Sequence, residues 1–144
     1  MNFNYAKKQI KIHIIYGSKS DIVFFDAAIA LLKKKKITYE EFIISAHRNT
    51  KKLLDYCEKL KSKKDKKIII ITVAGLSAAL PGIIAANTDL PVIHCPVINS
   101  PFKGLDSYIS AVQTPSAAPV VSVGSHKKAP ENLIAFIERI INLF

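Results

Sequence analysis

At 144 residues, with 49% hydrophobic side chains, the chain fits one domain and can bury a sizeable core. Its longest apolar runs, Ile68–Ile71 and Leu76–Ala86, fall far short of the roughly 20 residues needed to span a bilayer, and Met1–Ile10 is polar and basic without the apolar core of a secretion signal, so a cytoplasmic protein with a flexible polar N-terminus over residues 1–10 is expected. The formal net charge of +10 raises nucleic acid as a partner, but most lysines fall in two runs, Lys33–Lys36 and Lys59–Lys67, at expected helix ends where they complement the dipole, and two arginines with no tryptophan give none of the interleaving a nucleic-acid groove uses.

The first strand is predicted over Lys11–Tyr16, followed by a helix over Ile22–Lys35. Further strands are expected at Tyr39–Ile44, Lys67–Val73, Pro91–Val97 and Pro119–Val123, all rich in Ile and Val and mostly apolar on both faces, as buried parallel strands are. Helical patterns alternate with them at Thr50–Lys61, Ser77–Asn87 and Gly104–Gln113, with a last one over Pro130–Leu143. Asn49 or Thr50 suits an N-cap, and Pro130 suits a first helical turn. Alternation of strand and helix implies parallel crossovers, hence a single three-layer α/β/α sandwich whose ligands sit at the carboxyl ends of the strands.

Three loops at those ends are unusual. Gly17–Asp21, after the first strand, stops an apolar run at glycine and opens two hydroxyls and a carboxylate at a helix start, where unpaired N–H groups favour an anion. Ser18 and Ser20 supply the hydroxyls; the structural alternative is that Ser20 or Asp21 only caps the helix. After the second strand, Ser45-Ala46-His47-Arg48 brings a guanidinium fork suited to phosphate and an imidazole able to give and take a proton. After the third, Ala74-Gly75-Leu76-Ser77 offers small wall residues.

His13 and His94 fall inside strand patterns and read as structural, while His126 is in a more open loop. Cys57 and Cys95 read as reduced core residues. No three His, Cys or carboxylate residues have metal-ligand spacing.

Gly-Ser-Lys-Ser-Asp (Gly17–Asp21), Ser-Ala-His-Arg (Ser45–Arg48), Ala-Gly-x-x-Ala-x-Leu-Pro-Gly (Ala74–Gly82), Leu-Pro-Val-Ile (Leu90–Ile93) and Gly-Leu-Asp-Ser (Gly104–Ser107) follow in the order and spacing of one family. The chain resembles the N5-carboxyaminoimidazole ribonucleotide mutases of purine biosynthesis from about Ile12 to Ile141. The resemblance implies a flavodoxin-like sheet, assembly as a homo-octamer, and a ribonucleotide substrate whose carboxylate moves from the exocyclic nitrogen to C4 of the ring without metal or organic cofactor. It further implies that Ser18, Asp21 and Arg48 hold phosphate and ribose and that His47 handles the proton. Ser20, Ser45, Ala74, Gly75 and Leu76 complete the expected substrate-binding set.

Some positions depart from the family pattern. Ala79 stands where the bacterial mutases have histidine and, with Ser77, resembles the related carboxylases that take CO2 directly. Arg48 points back to the mutases, since those carboxylases tend to carry lysine there. Ala117 replaces a glycine and Thr114 a methionine, and the chain ends at Phe144 without the usual C-terminal extension. Direct carboxylation, or a nucleotide-binding relic without turnover, are the alternatives these changes leave.

Overall fold

The computed structural model describes residues 10–63 and 67–144, so all but the last of the N-terminal residues expected to be flexible, and part of the second lysine run, lie outside the described residues. Five parallel strands, β1 (Lys11–Tyr16), β2 (Tyr39–Ile43), β3 (Ile68–Ala74), β4 (Val92–Pro96) and β5 (Val121–Ser122), form one sheet in the order β2-β1-β3-β4-β5. Helices α1 (Ile22–Lys34), α2 (Thr50–Lys61), α3 (Leu80–Asn87), α4 (Leu105–Val112) and α5 (Ala129–Ile141) alternate with them. This is the flavodoxin-like strand order, in which the chain leaves β1 toward β2 and then returns to the other side of β1 with β3.

Both faces of the central strands β1, β3 and β4 are buried, and the two-residue period of a strand divides their side chains between two cores. On one face Ile12, Ile14, Ile69, Ile71 and Ile93 pack beneath Phe25, Ala28 and Leu32 of α1 and Leu133, Ile134 and Ile137 of α5. On the other, Ile15, Ile68, Ile70 and Val92 meet Leu53, Cys57 and Leu60 of α2 and Leu80, Ile84 and Ala85 of α3. Ile14 and Ile71 are fully buried, so truncating either to alanine costs about 2–5 kcal/mol. Cys57 and Cys95 are buried and free.

Three expectations need correction. β2 is not apolar on both faces: it is an edge strand whose Glu40 pairs with Lys11 and whose Glu41 accepts the Tyr16 hydroxyl at 2.8 Å. Helix α3 begins at Leu80 rather than Ser77, because Leu76 takes a left-handed φ of 57° and the Ala79 N–H closes a turn on the Ser77 carbonyl, after which Pro81 enters in the first helical turn. β5 is only Val121–Ser122, since the ladder reaches no further than Ile93↔Val121 and His94↔Ser122 and Pro119 has no N–H to donate. Among the described residues no helix is long and apolar enough to cross a membrane.

Candidate active site

The register that pairs Tyr16 with Ile43 on one side and with Val73 on the other ends β1, β2 and β3 at the same level, so their following loops open side by side. Between them lies a cleft of about 570 Å³. All nine residues expected from the sequence, Ser18, Ser20, Asp21, Ser45, His47, Arg48, Ala74, Gly75 and Leu76, line it.

In the first loop, Lys19–Asp21 form a short 3-10 turn ahead of α1, with Ser18 in extended conformation at its start. Asp21 stands at the cap position of α1 without a side-chain cap bond there, but with Ser18 it closes a capping box on the 3-10 turn that leads into the helix, so the capping alternative holds in part. The Asp21 carboxylate turns back to accept the Ser18 N–H at 2.9 Å, and the Ser18 and Ser20 hydroxyls lie 2.7 Å apart. Burial raises the pKa of Asp21 above the ordinary carboxylate value, while hydrogen bonding from Ser18 and the charge of Arg48 work against that rise. Gly17 sits tightly against the end of β3, since a Cβ there would stand 3.0 Å from the Ala74 Cβ and would have to displace it by a few tenths of an ångström. Its small size brings the first and third loops together.

The second loop is wound on itself. The Ser45 hydroxyl accepts the Arg48 backbone N–H at 3.2 Å and its Nε–H at 3.4 Å, the Asn49 N–H bonds the Ser45 carbonyl, and Thr50 donates to the Ala46 carbonyl at 2.6 Å. Asn49 occupies the cap position of α2 without a side-chain cap bond. Ser45 therefore leans the guanidinium through Nε and leaves the terminal fork for a ligand. His47 is exposed on the cleft, and its ring makes no hydrogen bond to another described residue.

The third loop supplies a wall of Ala74, Gly75, Leu76, Ala78 and Ala79, with Ser77 exposed beside them. Leu76 is 59% exposed at the rim in its left-handed conformation, a form that costs a branched side chain about 1 kcal/mol and that often marks functional loops. The wall is anchored from below. His94 Nδ1 lies 2.9 Å from the Thr72 hydroxyl and Nε2 lies 2.8 Å from Ser107 Oγ, which donates to the Ala74 carbonyl at 2.7 Å. Because the Ser107 hydrogen is committed to that carbonyl, Nε2 is the protonated nitrogen and Nδ1 accepts from Thr72. Burial holds His94 neutral, with its pKa lowered to about 4. His13, bonded to the Tyr56 hydroxyl at 2.8 Å, is likewise lowered to about 4 by burial. Neither lines the cleft, in keeping with a structural role.

Sequence reasoning passed over Asn99, which lines the cleft from the loop after β4. The available signal was positional: a fourth parallel strand also delivers its following loop to the carboxyl end of the sheet.

A doubly wound parallel sheet that gathers serine hydroxyls, a guanidinium and an imidazole at its topological switch has the architecture of small-molecule-binding α/β proteins. The AIR carboxylase family model matches residues 11–141, and the chain belongs to that family. It is 38% identical over 121 residues to the N5-carboxyaminoimidazole ribonucleotide mutase of Saccharolobus solfataricus, covering 83% of this chain and 75% of that protein. It is also 42% identical to the mutase of the same name from Pyrococcus horikoshii, covering 78% of this chain and 62% of the relative. The crystal structure of Treponema denticola PurE superposes with a TM-score of 0.79 at 27% identity, over 93% of this chain and 81% of that one.

Proposed function

We propose that the chain is an N5-carboxyaminoimidazole ribonucleotide mutase of purine biosynthesis. The observation that carries the reading is the meeting, in one cleft, of the Ser18, Asp21 and Arg48 cluster with an imidazole, His47, that makes no hydrogen bond to another described residue. Arg48 and the serines take the phosphate, and Asp21, already accepting from Ser18, offers its remaining lone pairs to ribose hydroxyls.

The reaction then runs as carbamate cleavage and recapture. The bond between the exocyclic nitrogen and the carboxyl carbon breaks, the nitrogen takes up a proton, and C4 of the electron-rich ring attacks the CO2 released beside it. His47 removes the proton that C4 still carries, restoring aromaticity, so that protons and charge balance over the cycle. CO2 must stay near C4 for the recapture, which makes enclosure essential. The cleft of one chain is open along His47, Arg48, Leu76 and Ser77. Assembly as a homo-octamer would cover it; the exposed side chains of Leu76, Phe102, Leu105 and Ile109 support that reading, since a solvated surface gains nothing from them. A purine pathway enzyme of this kind belongs in the cytoplasm.

A second reading, direct carboxylation of the aminoimidazole ribonucleotide by CO2, is favoured by one observation: Ala79 puts a methyl group on the wall where a mutase carries histidine. Offering the purified protein the carbamate ribonucleotide, and separately the bare ribonucleotide with bicarbonate, tests both. Turnover of the carbamate at low concentration supports the mutase, and turnover of the bare ribonucleotide alone supports the carboxylase. Binding without turnover of either leaves a relic.

A further inference from the structure

We propose that the side-chain amide of Asn99 reads the carboxylate-bearing end of the substrate's imidazole ring. The inference rests on the ribonucleotide reading above and extends it to the part of the ligand that the first two loops do not address.

Polar side chains in the cleft are unevenly distributed. Ser18, Ser20, Asp21, Ser45 and Arg48 all come from the loops after β1 and β2, whereas on the third loop Ala74, Gly75, Leu76, Ala78 and Ala79 bring no side-chain donor or acceptor and Ser77 brings one hydroxyl. A ribonucleotide held by its phosphate and ribose on the first two loops turns its base toward that third wall. Asn99 reaches the wall from the loop after β4. Its Oδ1 lies 2.7 Å, and its Cγ 3.6 Å, from the position a Cβ on residue 75 would occupy, so the amide rests directly over the Gly75 backbone, in a seat that any larger residue would fill. The amide makes no hydrogen bond to another described residue.

The chemistry of an amide suits this place. Substrate and product are isomers, each bearing a carboxylate next to an N–H: the carbamate nitrogen before transfer, the ring amino group after it. An amide has two N–H donors for the carboxylate and a carbonyl acceptor for the N–H, so one side chain can serve both isomers. A carboxylate in its place would repel the migrating group, and an ammonium would leave the N–H unpaired.

The test compares Asn99→Ala and Asn99→Asp with the wild-type protein by calorimetric binding of two ligands, the C4-carboxylated ribonucleotide and the bare aminoimidazole ribonucleotide. Asn99→Ala should weaken the carboxylated ligand about tenfold, the size of a lost bond to a charged group, and the bare one by no more than about twofold. Asn99→Asp should weaken the carboxylated ligand by roughly a hundredfold, because two negative charges then face each other in a partly desolvated cleft. Equal weakening of both ligands by Asn99→Ala, or no weakening of either, would overturn the assignment while leaving the ribonucleotide reading intact. A wild-type protein that binds neither ligand would sink that reading, and the role of Asn99 with it.

Discussion

Acidification from pH 7 to pH 5 is expected to remove about 4 kcal/mol of folding stability, half of it through His94. In the folded chain this ring is enclosed between Thr72 and Ser107, and burial lowers its pKa to about 4, against an ordinary value of 6.5. The folded value lies below the unfolded one, so as the pH falls it is the unfolded chain that takes up protons first. Stability is therefore complete above about pH 6.5, declines from there to about pH 4, and is flat below. Each pH unit in that window is worth about 1.4 kcal/mol per group, so the 1.5 units down to pH 5 amount to about 2 kcal/mol for His94. His13, lowered to about 4 by its own burial, contributes the same. Glu40 and Glu131, whose pKa values are lowered by their lysine partners, act only at still lower pH, and Asp21, raised by burial, acts in the opposite sense. Urea unfolding at pH 7, 6 and 5 reads this directly. The His94→Asn variant, less stable than wild type at pH 7, should lose only about 2 kcal/mol on going to pH 5. Wild-type stability unchanged within about 0.5 kcal/mol over the same range would refute the argument, and so would an undiminished acid loss in His94→Asn.

Four further outcomes follow from the geometry. His47→Asn keeps a hydrogen-bonding group but not the titratable nitrogen, so turnover should drop by about two to four orders of magnitude while calorimetry finds the ribonucleotide still bound. Arg48→Ala should weaken ribonucleotide binding by about 1.5–3 kcal/mol and hardly affect the nucleoside; equal losses would move Arg48 off the phosphate. Ala79→His, on the cleft wall, should shift the ratio of kcat/KM toward the carbamate and away from the bare ribonucleotide with bicarbonate, and an unmoved ratio would make Ala79 a passive wall residue. Ala117 adopts a left-handed φ of 65°, so Ala117→Gly should stabilise the fold by about 0.5–1 kcal/mol, visible as a higher urea midpoint.

The fold was legible because the signals that specify it are strong and local. Runs such as Ile68–Ile71 can only be buried strands at that length, and the amphipathic segments between them force crossovers on both faces. The three strand-end loops were legible for the same reason: once β1, β2 and β3 are adjacent, Ser18, Arg48 and Gly75 have to meet. The details that escaped depend on contacts distant in sequence or on single dihedral angles. The late start of α3 turns on Leu76, a residue with good helix propensity that stands at positive φ in an exposed loop. The shortness of β5 reflects where its ladder with β4 stops. Asn99 escaped because a lone amide in a loop carries no motif; only its seat over Gly75 distinguishes it. The chain Thr72–His94–Ser107–Ala74 joins residues up to 35 positions apart, and no short-range pattern announces it.

All the groups that line the cleft stand at the carboxyl ends of the strands, and the turns at the amino ends, such as residues 35–38 between α1 and β2 and 88–91 before β4, belong to no part of it. The molecule thus has a working end and a handling end. A fluorophore, a surface tether or a fusion joint attached near Lys36 or Asp89 is separated from the cleft by the length of a strand, about 17–20 Å. Immobilisation through that end leaves the approach of small anions to the cleft unobstructed.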